Sequence, residues 1–340
     1  MADAPIFEKK NILVTGGAGF IGSVLCERLL KEHHVICVDN LCTSYATNID
    51  HLLKDQNFEF IRADINQPLD LDKYSELERF KVKFQGVQEI YHLACPTSAK
   101  NFDKFRQDTL LANSVGMRNI LDLAVKYKAK FFQASTSVIY GPRPADGRLS
   151  KEADSGFIDH LSRRACYDEG KRFAETMCQT YKEVHGIDVR IARIFRTYGP
   201  RMPLFDGQMV PDFVIDALDG KDVVIYGDEN FRTSLVFVTD VVDGILRLMN
   251  LPKDPGPLNL GSDYDVKLVD VAQRIIALTN STSKIRFDPP LLFMSQLCLP
   301  DLTKAKDLLG WIPLVSLEQG LKKSIEYTTA HRGLIRMTFG

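Results

Sequence analysis

The sequence carries almost no net charge: 43 Lys and Arg stand against 44 Asp and Glu over 340 residues, leaving −1 at neutral pH. No global basic field is present to hold nucleic acid or an anionic membrane. No apolar stretch is long enough to span a bilayer. The N-terminus, MADAPIFEKK, has no apolar run of the kind a signal peptide needs. No CxxC pair occurs. Cys26, Cys37, Cys42, Cys95, Cys166, Cys178 and Cys298 are scattered singly and odd in number, which argues against a metal site, a redox motif or a disulfide framework. Repeats and low-complexity tracts are also missing. The expectation is a globular protein of a reducing compartment, the cytoplasm, with no metal and no nucleic-acid or membrane partner. Its length leaves room for one large or two ordinary domains.

What the chain has is the stretch Asn11 to Gly22, NILVTGGAGFIG. A short apolar run leads into glycines at 16, 17, 19 and 22, and an amphipathic segment follows. That pattern is a strand, a tight turn and a helix. Glycine admits backbone angles closed to other residues, and the helix start offers unpaired N–H groups and a positive dipole end to an anion. The next apolar run, His34 to Val38, ends in Asp39. Strand, glycine turn, helix and a following acid together are the context a dinucleotide fingerprint requires.

Strand candidates fall at 11–15, 34–38, 58–62, 88–93 and 130–135, with helical stretches between several of them. Such alternation implies a parallel sheet covered on both faces, with the binding site at the carboxyl ends of its strands. The positions to inspect are therefore Gly16 to Gly22, Asp39 and Asn40, Asp64 and Ile65, Leu93 to Pro96, and Ser135 to Tyr140. Asp64 is either an acceptor for the adenine amino group or a solvated turn residue. Long helices are predicted over 103–128 and 161–185. The second carries Phe173, Ala174, Met177 and Tyr181 at helical spacing; that stripe faces either the chain's own sheet or another subunit. Beyond Phe195 the segments shorten and are broken by Gly and Pro, as in YGPRMPLFDG and FDPP. Helices are expected at 208–219, 240–250, 266–279, 301–309 and 317–327. Short strands are expected at 235–238 and 258–260, rejoining the main sheet.

Tyr167 and Lys171 stand four apart in CYDEGKRFAE, on one face of a helix and one turn apart. Tyrosine ionises near pH 10, and a nearby cation lowers that value, so the pair is a candidate general base on a hydroxyl. Thr136, just past the fifth strand, is the third candidate. Beside a nicotinamide ring such a base removes an alcohol proton while hydride leaves. Asp39 binds ribose hydroxyls and repels a 2′-phosphate. No arginine occurs from Asn40 to Tyr45, so NAD is expected over NADP.

TGGAGFIG, HLAC, ASTSVIYG, CYDEGKR and RIFRTYGPRM, in that order, resemble the extended short-chain dehydrogenase/reductase superfamily. Within it the chain is most similar to the UDP-glucuronate decarboxylases, from about Lys10 to Tyr327; YHLACP, RACYDEGKR, VTDVVDG and KAKDLLGW carry that closer likeness. The resemblance implies an α/β fold: a Rossmann-type doubly wound parallel sheet for NAD over residues 1–195, and a smaller C-terminal α/β region, 196–340, mainly for a nucleotide-sugar. It implies bound NAD and a homodimer built on a helix bundle. Thr136, Tyr167 and Lys171 form the implied catalytic set. The implied NAD contacts come from Gly16, Gly19, Phe20, Ile21, Gly22, Asp39, Asn40, Asp64, Ile65, Leu93 and Ala94, with Tyr167 and Lys171. The implied reaction is a redox loop at the sugar's C4: a 4-keto acid forms, loses CO2 because the ketone accepts the electrons, and is reduced to the pentose.

The chain departs from the family on the substrate side, at Val138, Arg196, Thr197, Gln208 and Arg232. Val138 stands where the decarboxylases have a glutamate. Arg196 replaces the asparagine of RIFNTYGP, and Gln208 replaces the arginine of DGR. Arg232 lies one position early in FRTS. Leu299 precedes Pro300-Asp301 where a basic residue is usual. These changes keep a 4-epimerase open, since epimerases need Thr, Tyr and Lys but no glutamate. A 4,6-dehydratase needs an Asp-Glu pair where this chain has Ser137-Val138. A non-catalytic NAD-binding sensor is the reading from a different class.

Overall fold

Strand and helix alternate from the first apolar run onward. The computed structural model describes residues 9–97, 102–289 and 297–339; residues 1–8, which bear on the signal-peptide reading, and the last proline of FDPP lie outside them. The first half comprises β1 (Asn11–Thr15), α1 (Phe20–Leu29), β2 (His34–Asp39), β3 (Phe58–Arg62), the one-turn α2 (Val82–Gln85) and β4 (Glu89–His92). Next come α3 (Arg106–Leu111), α4 (Met117–Tyr127), β5 (Lys130–Thr136), α5 (Ala165–His185) and β6 (Val189–Ile194). The second half holds β7 (Thr197–Tyr198), α6 (Met209–Leu218), β8 (Val223–Tyr226), β9 (Arg232–Thr233), β10 (Val236–Phe237), α7 (Val238–Asn250) and β11 (Leu258–Leu260). It ends with β12 (Val266–Lys267), α8 (Leu268–Leu278), β13 (Ile285–Asp288), α9 (Thr303–Leu309) and α10 (Leu317–Phe339).

Seven strands form one sheet in the order β11-β6-β5-β4-β1-β2-β3, and every neighbouring pair is parallel. The fold is therefore a doubly wound α/β sheet. Period-two alternation sends Ile12 and Val14 to one face, with Leu25 of α1 and Ile245 of α7, and Leu13 to the other, with Ile120 of α4 and Ala174 of α5. Each buried Val, Leu or Ile among them contributes about 1.5–3 kcal/mol. The chain runs outward from β1 to β3, then crosses back to β4 on the other side of β1. The crevice at this switch point opens between the loops after β1 and β4.

Several elements differ from expectation. β6 was absent from the predicted strands, although it pairs with both β5 and β11. Leu258–Leu260 does rejoin the main sheet, but Val236–Phe237 pairs with Thr197–Tyr198 in a separate parallel ribbon. The helix predicted over 103–128 is divided by a π-helical turn at Ala112–Gly116. In α5, Ala174 is buried with Met177 and Tyr181 packed beside it, so most of the stripe faces the chain's own core, whereas Phe173 is exposed. A third apolar cluster, with Val214 of α6, Ile225 of β8, Val271 of α8 and Leu321 of α10, holds the C-terminal elements together. Among the described residues no helix is long and apolar enough to cross a membrane.

Candidate active site

The turn after β1 is shaped by close backbone approach. Gly16 has φ of +71°, and a Cβ there would lie 2.7 Å from the Ala94 backbone nitrogen. A Cβ on Gly22 would lie 2.1 Å from the Gly16 carbonyl oxygen. Only hydrogen fits at either position, so the first turn of α1 sits directly against the glycine loop and the end of β4. Gly19, Phe20, Ile21 and Gly22 then line a cleft of about 720 Å³. Residues from both halves of the chain line this one cleft, as a site for a dinucleotide and a second ligand requires.

Asp39 ends β2 in the same cleft. Its Oδ1 accepts from the Leu41 amide and the Ser44 hydroxyl, both at 2.8 Å; its Oδ2 accepts from the Ala18 amide at 3.1 Å. Oδ2 therefore keeps acceptor capacity for a ribose hydroxyl. Burial pushes this carboxyl above its ordinary pKa, and the three donors act against that shift. Asn40, Asp64, Ile65, Leu93 and Ala94 line the cleft as well. The Asp64 Oδ1 accepts from the Asn66 amide at 2.9 Å, so the turn role and a place in the cleft coexist. The cradle that a Cβ would fill and the open acceptor on Asp39 fit the diphosphate and ribose of NAD, and no cation is present at 40–45 to attract a 2′-phosphate.

Thr136, Tyr167 and Lys171 meet at the other end of the cleft. β5 ends at Thr136, whose hydroxyl accepts from the Val138 amide at 3.4 Å and hydrogen-bonds Tyr167. The Lys171 Nζ is buried 6.0 Å from the centre of the Tyr167 ring and donates to the Ala134 carbonyl at 3.0 Å. The expected lowering of the Tyr167 pKa is not what this arrangement produces. The phenol is pushed well up, by burial first and then by the neighbouring Cys95 sulfur; Thr136 and the Arg164 charge pull the other way.

On the substrate side, Val138, Arg196, Thr197 and Gln208 all line the cleft. The Thr197 hydroxyl is turned back to the Phe195 carbonyl at 2.9 Å, and the Gln208 amide reaches the Thr97 carbonyl at 3.4 Å. Arg232 is not brought to the cleft: its guanidinium is bound by Asp265 at 2.5 Å, an acid it shares with Arg143. Arg164 was missed from the sequence. It lines the cleft, lies 5.8 Å over the Tyr167 ring and pairs with Asp168 at 2.8 Å. Its signal was the i−3 spacing to Tyr167. The VTDVVDG and KAKDLLGW segments meet outside the cleft: the Trp311 indole donates to the Asp240 carbonyl at 2.9 Å, and the Asp240 carboxylate accepts from the Leu314 and Val315 amides.

Comparison with known proteins gives the same picture. The chain is 40% identical to UDP-glucuronic acid decarboxylase 1 of Danio rerio over 94% of this chain and 73% of that protein. It is 37% identical to UDP-glucuronic acid decarboxylase 5 of Arabidopsis thaliana over 92% of this chain and 87% of that one. A solved epimerase from Methanothermobacter thermautotrophicus superposes with a TM-score of 0.84 at 27% identity, covering 98% of this chain and 96% of that one. UDP-glucuronic acid 4-epimerase from Bacillus cereus, solved with UDP-glucuronic acid and NAD, gives a TM-score of 0.80 at 27% identity, covering 94% and 99%. The model of the NAD dependent epimerase/dehydratase family matches residues 12–261. The chain belongs to that NAD-dependent family, whose cofactor fits the cleft that its glycine turn and Asp39 build.

Proposed function

We propose that this protein is a UDP-glucuronate decarboxylase that works through a transient 4-keto sugar. The observation that carries this reading is the meeting of Thr136, Tyr167 and Lys171 in the cleft that also holds the glycine turn; the relatives named UDP-glucuronic acid decarboxylase supply the substrate class. NAD, when bound, supplies hydride transfer at the sugar's C4. Residues 1–195 hold the dinucleotide and 196–340 mainly the sugar nucleotide.

Tyr167 takes the C4 hydroxyl proton and Thr136 shares a hydrogen bond with that oxygen. For Tyr167 to act as a base its pKa must fall from the raised value. A turn of the Lys171 ammonium from the Ala134 carbonyl toward the phenol oxygen places the charge that does this. The resulting ketone is β to the carboxylate. When CO2 leaves, the bonding pair moves to C5 and the C4 oxygen, and a proton returns to C5. The cleft's contribution to this step is to position the sugar.

A 4-epimerase remains the second reading, favoured by one observation. Val138 is 6% exposed and lines the cleft where the decarboxylases place a glutamate, and valine moves no proton. Incubation of the purified protein with UDP-glucuronate, followed by mass and NMR analysis, decides between them. A pentose with released CO2 supports decarboxylation, and a mass-neutral isomer supports epimerisation.

A homodimer is part of the same proposal. Leu110 of α3 and Phe173 of α5 are each 50% exposed on two helices that contact one another, and an apolar patch of this kind suits a second copy. Seven free cysteines suit a reducing compartment such as the cytoplasm.

A further inference from the structure

We infer that Arg196, with Arg164 beside it, forms a subsite for the carboxylate of the sugar ring. This rests on the proposed nucleotide-sugar reading and adds a residue-level basis for choosing an acid sugar over a neutral one.

Arg196 follows β6 by two residues. Ile194, at the end of that strand, is the register partner of Thr136, which puts Arg196 on the same edge of the sheet as the catalytic set. It lines the cleft and is half-buried. Other sequestered arginines carry their own acids: Arg193 has Glu175, Arg190 has Asp188, Arg143 has Asp265, and Arg201 has Glu27. Arg164 has Asp168. Among the described residues Arg196 has no carboxylate. Burial, and then the positive charge of Arg164, push its pKa down to about 10. A desolvated cation beside another cation is unfavourable unless an anion completes the site. The ligand is the natural source of that anion.

A UDP-sugar acid has two anionic groups, and geometry separates them. The C4 hydroxyl must sit at Tyr167 and Thr136. The carboxylate hangs from C5, the carbon next to C4, whereas the diphosphate hangs from C1 across the ring. Arg164 lies 5.8 Å from the Tyr167 ring centre, and Arg196 is close enough to feel its charge. Both cations therefore belong to the Tyr167 end of the cleft, the end that must take C4 and its neighbour C5, and a planar guanidinium can hold a carboxylate through two parallel hydrogen bonds. Asparagine, the family's usual residue here, offers no charge.

The test uses NAD-loaded protein carrying Tyr167→Phe, so that ligands bind without turnover. UDP-glucuronate, UDP-glucose and UDP are titrated calorimetrically into this parent and into Arg196→Gln and Arg196→Lys versions of it. The inference predicts that Arg196→Gln weakens UDP-glucuronate roughly tenfold or more, while UDP-glucose and UDP change by less than about twofold. Arg196→Lys should recover part of the preference. Equal losses for all three ligands would assign Arg196 to the diphosphate and overturn the inference, as would an unchanged preference in Arg196→Gln. Failure of the parent to bind UDP refutes the nucleotide-sugar reading itself, and is seen separately from any effect at Arg196. Thermal unfolding of each variant shows whether a loss comes from misfolding.

Discussion

The Lys171 ammonium stands 6.0 Å from the centre of the Tyr167 ring but donates its hydrogen bond to the Ala134 carbonyl. The proposed base and the cation proposed to activate it are close but not hydrogen-bonded to one another. Tyr167→Phe should abolish turnover while NAD stays bound. Lys171→Met should lower turnover at pH 7 by roughly 10²–10⁴-fold. It should also move the rising limb of the pH–rate profile to higher pH, because the phenol loses the charge that stabilises its ionised form. Rates measured across pH 6–10 check this, and an unmoved limb would remove Lys171 from the role.

The glycine turn predicts a different failure. Gly22→Ala puts a Cβ 2.1 Å from the Gly16 carbonyl oxygen. That oxygen is backbone and cannot swing aside, so the variant should lose about 1–3 kcal/mol of stability and its bound NAD. Thermal unfolding with and without added NAD measures both. A variant that keeps NAD and its melting temperature would contradict the close approach.

Cofactor choice is the role proposed for Asp39. Asp39→Asn removes the charge that repels a 2′-phosphate and weakens the hydrogen bonds accepted from the Leu41 and Ala18 amides and the Ser44 hydroxyl. The ratio of NAD to NADP affinity should fall, with NAD binding itself weakened. Fluorescence titration with both dinucleotides reads the ratio. An unchanged ratio would leave Asp39 a purely structural residue.

His92 gives a pH signature. It is buried against the Thr15 hydroxyl at 2.7 Å. Burial first, and then the Lys171 charge, push its pKa down from 6.5 to about 3. The unfolded chain thus binds a proton that the folded chain refuses. Stability is fully present above about pH 6.5 and is lost as pH falls from there toward 3. His92→Asn should flatten the stability–pH curve between pH 6.5 and 5, where few carboxylates titrate, and urea unfolding at a series of pH values shows the slope.

Val138 is the position proposed to decide the reaction. Placing a carboxylate there by Val138→Glu should raise the amount of CO2 released per substrate consumed. An unchanged product ratio would make the position irrelevant to what happens after the ketone forms.

The NAD half of the site was legible because its signals are local. Gly22 is forced by its contact with Gly16 within one turn, Gly16 takes its positive φ in that same turn, and Asp39 ends the next strand. β6 was hidden because Arg190 and Arg193 interrupt its apolar pattern. Both are buried in the fold with distant partners, Arg193 on Glu175 of α5 and the Tyr140 hydroxyl and Arg190 on the Leu251 carbonyl, besides the neighbouring Asp188. No window along the sequence reveals such pairings. Arg232 looked like a substrate residue by position, and Asp265, 33 residues away, takes it out of the cleft. The orientation of Lys171 depends on a carbonyl of β5, so the four-residue spacing to Tyr167 predicted proximity but not engagement.

The most direct test of the account follows a label through the reaction. NAD-loaded protein is given UDP-glucuronate carrying deuterium at C4, and the products are read by NMR and mass spectrometry with CO2 measured in parallel. The account predicts one CO2 per substrate and a UDP-pentose that keeps its deuterium at C4. Deuterium lost to solvent, or conversion with no CO2 released, would contradict it.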